Sequence, residues 1–147
     1  MGSEQMDITE VRARLAKAVA LQIGSLSSLT MLSGTVTGAA SLELKRALRE
    51  YAHAEVEDTA LLVEKLVALG GAPGAYDPVP PPPTDLVQAV EEFLDREQEL
   101  LASIHAVIEP SGQEPSSEAL EHRIEHVLLR KQEQVDALRL AVRSTSE

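Results

Sequence analysis

The sequence predicts an all-α fold: one bundle of four long helices, with a single long crossover between the second and third. Three observations carry this. Apolar residues recur at three- and four-residue spacing through four stretches, no stretch alternates with the period of a strand, and one proline-rich connector is about as long as a helix.

Asp7 followed by Glu10 reads as an N-cap with its reciprocal partner, after which Ile8, Val11, Leu15, Val19, Leu26, Leu29, Leu32 and Val36 keep helical spacing. The first helix is predicted over about 8–36. After Gly38, Ser41 can cap a second helix over about 42–69, with Leu44, Leu48, Tyr51, Leu62, Leu66 and Leu69 on one face and Gly70-Gly71 as its stop. From Gly71 to Thr84 the chain contains Pro73, Pro78 and Pro80 through Pro83, which excludes helix and central strand and predicts a stiff, extended connector. The third helix is predicted over about 86–109, ending before Pro110, and the fourth over about 118–143, after Ser116-Ser117. Residues 1–7 and 144–147 are left as tails, and Met1-Gly2-Ser3 reads as a vector remnant, with Met6 as an alternative start.

The connector decides the topology. About 14 residues of polyproline-like chain at roughly 3.1 Å each cover about 43 Å, one bundle length, so the second and third helices should run parallel. The two other links are short enough for antiparallel neighbours. A disordered proline-rich insertion in a plain bundle is the competing reading.

Composition narrows the chemistry. The 147 residues fit one domain. Aromatic content is only 2%, so Leu, Val, Ile and Ala must build the core. The absence of cysteine removes disulfides, thiolate metal sites and thiol nucleophiles. A formal charge of −11 disfavours nucleic-acid binding. No apolar run or basic leader points to a membrane span or export, so the expected compartment is the cytoplasm.

The informative positions are those where an apolar stripe is broken by a polar residue. These are Gln22 in the first helix, Glu55 and Asp58 in the second, Glu97 in the third, and Lys131 and Gln134 in the fourth; Glu99 replaces Glu97 if the helical phase is shifted. All lie near the helix midpoints, so an aligned bundle gathers them in one central layer. Buried carboxylates need a metal, protons or a cation, and Lys131 is the cation at hand.

The stretch from Ala54-Glu55-Val56-Glu57-Asp58 to Leu69-Gly70-Gly71-Ala72-Pro73 resembles the ferritin-like superfamily, bacterioferritin in particular, in its Glu-x-x-His helix and Leu-Gly-Gly-x-Pro ending. The resemblance implies a ferritin-like bundle with a degenerate di-iron site. The family's first-helix Glu falls on Gln22, its second-helix pair on Glu55 and on Asp58 in place of His, its third-helix Glu on Glu97, and its fourth-helix Glu and His on Lys131 and Gln134. Val56 stands where a haem-binding methionine is expected, so no haem is implied. The remaining carboxylates Glu55, Asp58 and Glu97 could hold iron or manganese; the preferred expectation is a metal-free network closed by Lys131, with no cofactor and no ferroxidase activity.

His122 and His126, spaced by four beside Glu121 and Glu125, resemble a metal clamp but fall opposite the apolar stripe, and His53 and His105 also lie off the core line. Tyr51 reads as a core residue. Gly24, Ser25, Ser27, Ser28, Ser33 and Gly34 offer a small-residue face for another helix, read as a homodimer contact. A homo-oligomer, a protein partner, or both are therefore expected. About four residues follow the fourth helix, which disfavours the large cage type with its fifth helix and leaves a smaller assembly open.

Overall fold

The computed structural model describes residues 6–38, 41–76, 78–112 and 115–146, apart from the side chains of 116 and 144–146, so Met1-Gly2-Ser3 lies outside the described residues. Four helices result: α1 (Ile8–Thr35), α2 (Leu42–Ala68), α3 (Leu86–His105) and α4 (Pro115–Ser146). No strand occurs among the described residues.

The helix ends follow from side-chain chemistry. Asp7 caps α1 by accepting from Glu10 N at 3.1 Å. Glu10 does not return the favour, because Asp7 N already donates to Pro110 O at 2.9 Å and the Glu10 carboxylate pairs with Arg14 at 2.6 Å. Ser41 occupies the N-cap of α2, but its side chain makes no capping bond. At the other end of α2, Gly70 takes φ +85°, Gly70 N bonds Val67 O and Gly71 N bonds Leu66 O, both at 2.9 Å. This is a Schellman stop, which needs a residue free of a Cβ penalty at Gly70. Arg12 of α1 then donates two hydrogen bonds to Leu69 O, at 3.0 and 2.6 Å, fastening the end of α2 to the start of α1.

Three boundaries differ from expectation. α3 stops at His105 rather than near 109, because the chain tightens into i→i+3 bonds (Val107 N to Ile104 O and Ile108 N to His105 O, both 3.1 Å) before the short 3₁₀ turn Glu109–Ser111. Pro110 brings no N–H to continue an α-helix and disfavours helical backbone before it. α4 starts earlier than 118, with Pro115 in the first helical position, where a missing N–H costs nothing. It also continues to Ser146, so 144–146 are helical rather than a tail.

Directions follow from the end contacts. The start of α1 meets the end of α2 through Arg12 and Leu69, and the end of α3 through Arg14 Nη1 and Ala106 O at 2.8 Å. α2 and α3 therefore run parallel, joined by the proline-rich crossover, as the connector length predicts. α1 packs against α2 and α3, and α4 against α3 and α2.

The core falls into two apolar halves. One gathers Val11, Leu15, Val19, Leu62, Leu66, Leu100, Ile104, Ile124 and Val127; the other gathers Leu29, Leu32, Leu48, Val90, Phe93, Val135 and Leu138. Ile8, expected on the core stripe, is half-exposed at the bundle end. α1 is the one described helix long and apolar enough to cross a membrane by length and composition, and it contributes residues to both core halves.

Candidate functional site: a buried ion-pair layer

Between the apolar halves lies a polar layer. The i, i+3 spacing on α2 aims Glu55 and Asp58 at one side of it, and the same spacing on α4 aims Lys131 and Gln134 at the other. Gln22 comes from α1 and Glu97 from α3. All six residues predicted from the sequence are buried, with Gln22, Glu55 and Lys131 fully so. Glu99 is exposed, which settles the phase of α3 on Glu97.

Lys131 Nζ is the hub. It lies 2.6 Å from Glu55 Oε1 and 3.2 Å from Glu97 Oε2, with Ser25 Oγ at 3.4 Å. Glu55 also accepts from Gln134 Nε2 at 3.0 Å and, through its other oxygen, from Gln22 Nε2. Gln22 Nε2 also donates to Thr59 Oγ1 at 3.2 Å, and Thr59 Oγ1 in turn donates to Glu55 O at 2.6 Å. Ser25 Oγ donates to Glu97 Oε1.

Sequence reasoning missed three members, Arg130, Ser25 and Thr59. Arg130 binds Asp58 through both Nε and Nη2, reaches Glu55 Oε1 at 3.3 Å and donates to Gln134 Oε1. Charge counting could have found it: three carboxylates against Lys131 alone leave the layer unbalanced, and Arg130 is the adjacent cation on the same helix face. Ser25 gave no signal beyond its small size.

Burial is the largest influence on each carboxyl and pushes it up. At Glu55, Lys131, Gln134 and Arg130 together outweigh burial and hold the carboxyl below its ordinary range. At Asp58 burial wins over Arg130, and at Glu97 it wins over Lys131 and Ser25, so both lie above their ordinary values. The layer thus carries three carboxyls and two cations and is neutral when one carboxyl keeps its proton. Glu97, faced by Lys131 alone among the cations, is the group best placed to keep it.

No known protein-family signature and no curated protein matches the sequence. Among solved structures, the chain superimposes on the bacterioferritin-related protein of Bacteroides fragilis, a dodecameric thioferritin, with a TM-score of 0.83 at 15% identity over 97% of this chain and 89% of that one. The fold is ferritin-like. Each carboxylate that could bind iron or manganese already faces a protein cation: Glu55 and Glu97 face Lys131, and Asp58 faces Arg130. Among the described residues, no three His, Asp or Glu side chains converge as a metal cage. His53, His105, His122 and His126 are all exposed, away from the layer.

The small-residue face of α1 also resolves differently from expectation. Gly24, Ser25 and Ser28 face the crossover of the same chain, with Val79 packed over Gly24. A homodimer contact through these three residues is displaced by the crossover.

Proposed function

We propose that this chain is a ferritin-like bundle whose centre is closed by protein ion pairs in place of a metal site, and that it serves as a self-associating structural or partner-binding scaffold rather than a ferroxidase. One observation carries the reading: the fully buried Lys131 ammonium bridges Glu55 and Glu97, the two glutamates that remain at the positions of the family's ligands. A cation entering there would meet an ammonium and would have to displace it from two carboxylates in a low-dielectric interior. Assembly into an oligomer is supported by the dodecameric state of the B. fragilis neighbour.

The test is metal content after purification and after anaerobic incubation with ferrous iron, followed by oxygen uptake. The expected result is substoichiometric metal and no ferrous-dependent uptake. A stoichiometric metal that is lost on Glu55→Ala, with uptake, would establish a divergent oxidase on Glu55, Asp58 and Glu97. Sedimentation velocity reads the assembly, and a monomer at all concentrations would remove the oligomer from this reading.

A further inference from the structure

A cavity of about 300 Å³ lies between α1, α3 and the crossover, at the lower end of the range for small-molecule sites. Its roof is the crossover around Val79, which seats closely because a Cβ at Gly24 would stand only 3.3 Å from Val79 Cγ2. Leu21, Phe93 and Leu100 supply apolar walls. The small residues of α1 leave the space, and the large residues of α3 shape it.

The buried polar groups in the lining, Ser25, Glu97 and Ser28, divide into satisfied and unsatisfied, while Tyr76, Arg96 and Glu99 line it from exposed positions. Ser25 and Glu97 are bonded to each other, and Lys131 stands beside both. The Glu97 carboxyl thus already faces the Lys131 ammonium, at 3.2 Å. Ser28 differs: the residue is 4% exposed, yet its hydroxyl has no hydrogen-bond partner. A helical serine or threonine ordinarily returns its hydroxyl to a carbonyl one turn back, as Thr30 does to Leu26 O and Ser33 to Thr30 O, both at 2.8 Å. Ser28 makes no such bond and lines the cavity instead. A buried, unpaired hydroxyl is costly unless something completes it.

We propose that this cavity binds a small, uncharged, mainly apolar molecule with one hydrogen-bonding head, of the alkylphenol or medium-chain alcohol class, its head on Ser28 Oγ and its body against Leu21, Phe93, Leu100 and Val79. The neutral head follows from the buried end of the cavity around Ser28, where the Glu97 carboxyl already faces Lys131 and an ionised head would lose its hydration; the charged side chains Arg96 and Glu99, of opposite sign, line the cavity from exposed positions. This site goes beyond the scaffold reading and stands on separate observations.

The test titrates the isotope-labelled full chain with 4-butylphenol, butylbenzene and 4-butylbenzoate, following backbone amides by NMR. The expected result is saturable binding of 4-butylphenol with a Kd on the order of 100 µM, its shifts centred on residues 20–28, on Ala75, Tyr76 and Val79, and on residues 93–100. Butylbenzene and the benzoate should bind about fivefold or more weakly, the worth of one neutral hydrogen bond or more. Ser28→Ala should cost the phenol about fivefold and leave butylbenzene unchanged, and its own spectrum reports whether it folds. No saturable shifts up to about 1 mM, shifts centred elsewhere, tighter binding of the benzoate, or an unchanged phenol affinity in Ser28→Ala would each overturn the proposal.

Discussion

Replacing Lys131 by Met tests the central layer most directly, because it nearly keeps the length of the side chain while removing the charge and its N–H donors. In the native chain the ammonium serves two carboxyls, at 2.6 Å and 3.2 Å. Without it, Glu55 keeps Gln22, Gln134 and the 3.3 Å contact with Arg130, whereas Glu97 keeps only Ser25. Removing one partner of a buried pair costs about 3–5 kcal/mol; because Glu97 can escape by keeping a proton, the lower end applies, about 3 kcal/mol at neutral pH. At this chain length that is a fall in Tm of roughly 6–12 °C. The pH dependence fixes the cause. Loss of Lys131 raises the folded-state values of Glu55 and Glu97, so the folded variant binds more protons than the unfolded chain and its stability falls as pH rises. The deficit against the parent should therefore be largest near pH 8 and shrink toward pH 5. Urea unfolding at both pH values and one fixed protein concentration measures it. A deficit below about 1 kcal/mol, or one that grows as pH falls, would refute the assignment of Lys131 as the hub.

Two further outcomes are expected. Glu97→Gln should be within about 1 kcal/mol of the parent at pH 5 and equal or more stable at pH 8, because burial lifts the Glu97 carboxyl above its ordinary range and that contribution is lost as pH rises through the folded-state value; denaturant titrations at the two pH values check it. Gly70→Ala should cost about 1–2 kcal/mol, since φ +85° is left-handed backbone that a Cβ disfavours, and thermal unfolding reads the loss.

Much of this was legible in the sequence for identifiable reasons. A four-helix bundle repeats its signal over many turns, so α1 and α2 ended within about one residue of expectation. The polar layer was legible because each of its predicted members interrupts an apolar stripe, a break that solvent-facing residues such as His122 or Glu99 do not make. Arg130 was not, since it sits at the edge of the stripe and acts through its long guanidinium. The end of α3 was misplaced because Ile108 continues the helical spacing into a segment where Pro110 forces a tighter turn. The cavity was invisible: small residues on α1 announce close packing, but nothing in their identity says whether another copy, the same chain's crossover or a ligand fills the space.

The layer also bears on how such a plain core finds one arrangement. With 2% aromatics and a core of mostly branched aliphatic side chains, neighbouring helices could slide past each other by one turn, about 5.4 Å, and still meet hydrocarbon with hydrocarbon. The ion pairs forbid it. Such a slip of α4 would drag Lys131 off Glu55 and Glu97 and strand its ammonium among leucines and valines, so the charged girdle acts as a key that admits a single alignment of the four rods.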